Sequence, residues 1–219
     1  SYKECDLALK WLQSGNEERL QGLRVFCEHR DPRAIPFLIP LLDEPSPVVR
    51  MSAVYALGRN PCPEAIELLL HLLKFDSNAY VRKATAWSLG NYSDANVLGP
   101  LIDALKQDVA AVRLWASSSL AEVGLSSKES SLPAANQLLE SLQVDGEPIV
   151  RSNCIWSLGR LYCLLSEEIQ IQIVETFISV LLSDREPSVR YEARTALEQL
   201  DSAEVQKKLK SLIDDGQLV

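Results

Sequence analysis
The sequence predicts an all-α fold, a right-handed α-solenoid of about six helical hairpins forming one domain over residues 1–219. Three observations predict it. A Val-Arg pair recurs along the chain, an apolar cluster precedes each pair at a near-constant distance, and an Asp falls between them every time. Self-similarity at a period of about 20–50 residues is the signature of stacked repeats.

The pairs are Val49-Arg50, Val81-Arg82, Val112-Arg113, Val150-Arg151 and Val189-Arg190, with arginines 32, 31, 38 and 39 residues apart. Their apolar clusters are Leu38–Leu42, Leu69–Leu73, Leu101–Leu105, Leu138–Leu142 and Phe177–Leu181, each ending eight or nine residues before its arginine. Between cluster and arginine stand Asp43, Asp76, Asp108, Asp145 and Asp184. The unit therefore reads as a helix A, a short turn and a helix B. One hairpin cannot cover its own apolar face, so the hairpins must stack.

Taken in order, Glu4–Gln13 reads as an N-terminal cap, and Arg19, 31 residues before Arg50, marks a degenerate first repeat within residues 1–30. Five repeats follow over residues 31–200. Asp31-Pro32 suits an N-cap followed by proline at the first helical position, and Gly58, Gly90 and Gly159 suit the ends of B helices. The extra residues of the two long intervals, Leu125–Ser131 and Leu161–Glu168, are expected between hairpins, where insertions cost little. Residues 201–219 close the array, with Ala203–Asp214 as a capping helix.

Composition agrees. Hydrophobic content is 47% but aromatics are only 6%, so the interior is built of Leu, Ala, Val and Ile, the palette of packed helices. The net charge of −8 repels a phosphate backbone, and no basic stripe shows along the sequence, which argues against nucleic acid as a partner. No apolar run approaches the roughly 18–20 residues of a membrane span. The opening Ser1-Tyr2-Lys3-Glu4-Cys5-Asp6 lacks the character of a signal peptide, and five irregularly spaced cysteines do not make a secreted disulfide framework. A cytoplasmic location is expected.

Helical geometry sorts the B-helix positions into faces. With the arginine as zero, positions −1, +3, +6 and +7 form the core stripe, for example Val49, Ala53, Ala56 and Leu57. Positions +1, +4, +5 and +8 are expected to line the concave face. The +5 column reads Tyr55, Trp87, Ser118, Trp156, Thr195, and the +1 column reads Met51, Lys83, Leu114, Ser152, Tyr191. Trp115 at +2 sits nearer the boundary between repeats. These rings either fill gaps between neighbouring B helices or anchor a partner, since Trp and Tyr concentrate binding energy at interfaces. An apolar cofactor could use the same groove, with Arg59, Arg160 and Arg194 adding polar contacts.

Catalytic motifs are missing: the sequence has no GxSxG, HExxH, P-loop or dinucleotide fingerprint. His71 lies within an apolar helix-A cluster and His29 at a helix end. Cys5, Cys27, Cys62, Cys154 and Cys163 lack the close spacing of a zinc or iron–sulfur site. Cys154 holds a core position, while Cys163 follows a helix end and is the one candidate for a cluster shared with a second chain. No catalytic residue and no metal site of the chain's own are expected.

Asp76–Gly90 (DSNAYVRKATAWSLG) and Asp145–Gly159, with Cys154 at an Ala position, resemble the HEAT-like repeats of the phycobilisome-lyase family. The resemblance covers nearly the whole chain. It implies a ladder in which Arg50, Arg82, Arg113, Arg151 and Arg190 pair with Asp43, Asp76, Asp108, Asp145 and Asp184 to link repeats. The segments VRLWASSSLAEVG and VRSNCIWSLGRL look most like a cyanobacterial HEAT-repeat partner of an IscA-type iron–sulfur assembly protein. That resemblance implies a non-enzymatic adaptor, with a shared iron–sulfur cluster as an optional group. The alternatives it implies are a subunit of an E/F-type bilin lyase or isomerase holding a phycobilin, and an adaptor that binds phycobiliprotein.

Overall fold
The computed structural model describes residues 2–200 and 202–218; Ser1, Asp201 and Val219, which belong to the expected terminal segments, lie outside the described residues. Contacts gather in two units, residues 1–123 and 124–219, where the sequence reads as one array.

In the first unit, α1 (Tyr2–Leu12) pairs with α2 (Asn16–Glu28). Next come α3 (Ile35–Leu38) with α4 (Pro47–Arg59), α5 (Ile66–Phe75) with α6 (Ala79–Leu89), and α7 (Leu98–Gln107) leading into α8 (Ala110–Ser126). The second unit holds α9 (Lys128–Val144) with α10 (Pro148–Leu161), α11 (Glu167–Ser183) with α12 (Pro187–Gln199), and a closing α13 (Ala203–Asp214). These alternating A and B helices make the fold an all-α solenoid of stacked hairpins.

Local chemistry sets the helix starts. Pro47, Pro148 and Pro187 open their B helices where no intrahelical N–H is needed. Asn78 caps α6 by accepting from the Tyr80 and Val81 amides, and the Asp31 carboxylate accepts from the Arg33 amide. In the repeat of α3, Pro36 and Pro40 interrupt helix A, which continues past Leu38 as a 3₁₀ turn over Ile39–Asp43.

The second long interval falls between hairpins as expected, with Tyr162–Leu164 a 3₁₀ turn between α10 and α11, whereas Leu125–Ser131 is largely taken up by the end of α8 and the start of α9. The A helices of these repeats are also longer: α9 and α11 run to 17 residues each against 10 in α5 and α7. The added turns keep burying side chains, Ser130 and Ser131 at the start of α9 among them. Ser131 satisfies its hydroxyl on the Gly124 carbonyl at 2.7 Å.

Acid–base pairs tie successive repeats together. Arg50 grips Asp76 with Nε and Nη2 at 2.8 and 3.1 Å, Arg82 grips Asp108 at 2.9 Å twice, and Arg151 grips Asp184 at 2.8 Å twice. Each of these arginines also donates Nη1 to a carbonyl of its own A–B turn: Glu44, Asp76 and Asp145 respectively. Arg113 and Arg190 do likewise, to the Asp108 and Asp184 carbonyls. The aspartates close their turns at the same time, because Asp76, Asp145 and Asp184 accept the amide two residues on at 2.9 Å. This double duty explains a short carboxylate side chain at that position. At the first junction the carboxylate is Glu44, which takes Arg19 at 3.2 Å, while Asp43 stands exposed. The 3₁₀ turn shifts the register there by one residue.

Gly90 ends α6 as its C-cap, as expected, and Gly58 lies one residue inside the end of α4, but both serve a second purpose as well. Neither has a positive φ; among the described residues Gly216 alone does. Gly58 lies within α4, where a Cβ would come within 2.5 Å of the Trp87 ring and 3.1 Å of the Ser88 Cα. A Cβ on Gly90 would meet the Ser119 hydroxyl at 2.5 Å. Both glycines let the next B helix approach closely. Gly58→Ala is therefore expected to destabilise the protein by about 1–3 kcal/mol through overpacking, read as a lower urea midpoint with unchanged slope.

Candidate functional site
The faces of the B helices come out narrower than helical spacing alone implies. Core positions −1, +3 and +7 are buried throughout, but so is most of the +4 column: Val54, Ala86, Ser117 and Ile155 are fully buried. At +8, Gly58 and Ala121 are buried too. The reason is lateral. A B helix packs against helix A and also against the B helices beside it, so its flanks are covered as well as its back. The +1, +5 and +9 columns stay at least partly open, and so does +2 at Ser52, Trp115, Asn153 and Glu192.

In the first unit, Tyr55 and Trp87 are half-buried and touch, with ring centroids 5.4 Å apart at 51°. Trp87 lies on Gly58 of the preceding B helix, so its inner edge packs and its outer edge faces solvent. Trp115 is half-buried. Arg59 is exposed and donates Nε to the Glu28 carbonyl at 3.2 Å.

In the second unit the aromatics are more open. Trp156 is 45% exposed and Tyr191 70%. The Arg160 guanidinium lies 4.9 Å from the Trp156 ring centroid, a cation–π contact. Arg194 pairs with Glu198 at 3.0 Å.

The sulfur and imidazole groups are otherwise engaged. Cys5, Cys62 and Cys154 are buried, and Cys27 donates to the Ser52 carbonyl at 3.6 Å. Burial, with the Glu28 charge adding, pushes the Cys27 thiol up to about 11, which keeps it protonated and unreactive at neutral pH. Cys163 is exposed on the 3₁₀ turn Tyr162–Leu164. His29 approaches Glu4 at 3.5 Å, and the His71 ring packs tilted against Phe75, with centroids 4.9 Å apart at 44°. Among the described residues, no group of three His, Cys, Asp or Glu side chains is placed to hold a metal ion. Nor, among the described residues, is any helix long and apolar enough to cross a membrane.

Two features escaped the sequence pattern. Open clefts of about 880 and 830 Å³ lie between successive A helices, one between α5 and α7 and one between the end of α9 and α11. They sit over the Arg82–Asp108 and Arg151–Asp184 pairs, not on the B face. Beside the A–B turns stand exposed apolar side chains: Val48, Phe75, Tyr80 and Val109 in the first unit, Val144 and Ile149 in the second. The −2 column Val48, Tyr80, Ile149 carried that signal in the sequence.

A family profile of HEAT repeats matches residues 6–85, 70–159 and 135–218. No curated protein sequence matches the chain. Among solved structures, the complex of CpcE and CpcF of phycocyanin lyase from Nostoc sp. PCC7120 is similar at TM-score 0.61 and 26% identity, over 76% of this chain and 99% of that one. A designed armadillo repeat protein in complex with the peptide (KR)4 gives TM-score 0.60 at 21% identity, covering 87% of this chain and 97% of its own. Kap121p gives 0.67 at 16% over 88% of this chain and 22% of its own. At their identities the last two speak for the fold alone.

Proposed function
Because the chain belongs to the HEAT-repeat family, we propose that it is a non-enzymatic scaffold that binds a protein partner on its B-helix face. One observation carries the reading: large aromatic side chains stand open on that face, Trp156 and Tyr191 above all. An indole left this exposed costs hydration in the free protein and gains a hydrophobic contact when something covers it. The first unit by itself presents Tyr55, Trp87, Trp115 and Arg59 on its B helices. A designed armadillo repeat protein of like fold is itself seen in complex with a peptide.

The partner class follows the resemblance read in the sequence: an iron–sulfur assembly protein of the IscA type, met in the cytoplasm. Exposed Cys163 is the residue that would reach a cluster held by that partner. A second reading has its own support in the likeness to the CpcE–CpcF complex of phycocyanin lyase. In it the chain is a subunit of a bilin lyase or isomerase, or an adaptor for phycobiliprotein, with the aromatics gripping a phycobilin.

Binding by titration separates them. With a purified iron–sulfur carrier of this type, Trp87→Ala and Trp156→Ala are each expected to weaken the complex by about tenfold or more. Unchanged affinity in both variants would refute the B-face reading. A red-shifted absorption band on mixing with phycocyanobilin, without carrier binding, would establish the lyase reading instead.

A further inference from the structure
The B helices of the first unit segregate charge in a way the net charge hides. The chain carries 30 acidic residues, yet α4 and α6 contain no Asp or Glu at all. Of their cations, Arg50 and Arg82 are consumed by the inter-repeat pairs. Arg59 and Lys83 lie on the open +9 and +1 positions. Arg24, five residues after Arg19 in α2, occupies the +5 position of its own repeat and is exposed. It continues the column of Tyr55 and Trp87. Arg24 and Lys83 have no hydrogen bond or ion pair among the described residues, and Arg59 is fixed outward only through its Nε contact to the Glu28 carbonyl. The acids on the flanking B helices at this face are Glu28 at the end of α2 and Glu122 late in α8, one on each side of Arg59 in the +9 column.

We propose that the α2–α4–α6 face binds an extended acidic segment of a partner polypeptide, its carboxylates on Arg24, Arg59 and Lys83 and its chain laid across the Tyr55–Trp87 ring pair. This rests on the scaffold reading and names the chemistry of its partner. Neighbouring helices stand about 10 Å apart, and an extended chain advances about 3.4 Å per residue. Arg24 and Arg59 are also offset by four positions along their helices, about 6 Å, and Arg59 and Lys83 by eight, about 12 Å, so acidic side chains about three to five residues apart meet the successive cations. The rings favour a polypeptide over a polyphosphate: they give a half-buried apolar platform for aliphatic side chains, while the surrounding −8 charge repels a long phosphate backbone. The cations are scattered through the sequence, which is why no basic stripe shows there.

The test uses the full chain and a fluorescein-labelled peptide of about ten residues with Glu at every third position and Leu between, followed by anisotropy. The Glu peptide is expected to bind and to weaken markedly as salt rises, and its Lys counterpart is expected not to bind. The triple variant Arg24→Glu, Arg59→Glu, Lys83→Glu should lose about tenfold or more in affinity, whereas Lys207→Glu with Lys208→Glu on α13 should not. Circular dichroism melts confirm that both variants fold; should the triple variant not fold, Lys83→Glu and Arg24→Glu are read singly. Equal binding of the Lys peptide, preference for single-stranded oligonucleotide, or an unaffected triple variant overturns the proposal. If the iron–sulfur carrier still binds through Trp87 and Trp156 while the acidic peptide does not, this proposal fails and the scaffold reading stands.

Discussion
Replacing Asp184 with Ala is expected to lower the unfolding free energy by about 3–5 kcal/mol, because it strands a buried guanidinium. Arg151 and Asp184 have side chains only 6% and 8% exposed, the least of the inter-repeat pairs, and their contact is bidentate. Without the carboxylate, Arg151 keeps its Nη1 bonds to the Asp145 and Gly146 carbonyls but loses the partner of Nε and Nη2. The Glu186 amide loses its acceptor too, so the α11–α12 turn loosens. Urea denaturation measures the loss, and a cost below about 1 kcal/mol would show the site to be wetter than its geometry implies.

The same pair sets an acid limit. The hydrogen bond from Arg151 holds the Asp184 carboxyl below its ordinary value, against the upward push of burial and with help from the Glu186 amide. A carboxyl depressed in the folded state contributes stability above its unfolded value, about 3.9, and loses it as pH falls through the folded value. Asp76 adds in the same direction: burial pushes it up, but the Arg50 hydrogen bond, the Asn78 amide and the charges of Arg50 and Arg82 outweigh that. Stability of the natural chain is therefore expected to decline below about pH 4, and to decline less steeply in Asp184→Ala.

Asn60→Ala is the second large effect, at about 3 kcal/mol. Asn60 is buried at the end of α4, where its amide donates to the Phe26 and Ala56 carbonyls at 2.9 Å and to the His29 carbonyl at 3.1 Å. Its Oδ1 accepts the Asp31 amide at 2.8 Å. One side chain thus satisfies the end of α2, the end of α4 and the loop between hairpins. Truncation leaves a buried N–H and several carbonyls without this partner, in a place too enclosed for water to replace it readily. Hydrogen exchange gives a local readout: the Asp31 amide should pass from slow to fast exchange, while amides of α10 stay protected. Tyr92 makes the corresponding tie one repeat later, donating its hydroxyl to the Leu57 carbonyl at 3.0 Å.

Periodicity alone carried much of this. The Val-Arg and Asp positions recur because every hairpin meets the same neighbour in the same way, so one local pattern is written five times. The core residues at −1, +3 and +7 were legible for the same reason, since a helix must turn one stripe inward whatever surrounds it. The close approach at Gly58 was not legible. A glycine near a helix end reads as a cap, and only the position of Trp87 in the next repeat shows that it is a contact surface.

The remaining features depend on what lies beside each helix, which no periodicity within that helix encodes. Val54 and Ile155 look solvent-facing on a single helix and are buried because a parallel neighbour covers the flank. Glu44 takes the place of Asp43 because two prolines tighten the preceding turn. Asn60 reaches residues 29–34 positions away, and Arg24, Arg59 and Lys83 gather from three repeats. The repeated hairpin and its arginine–aspartate ties are thus properties of the sequence pattern, because they recur with its period. Which side chains stay open on the B face is a property of the stacked structure, because burial there is conferred by neighbours from other repeats.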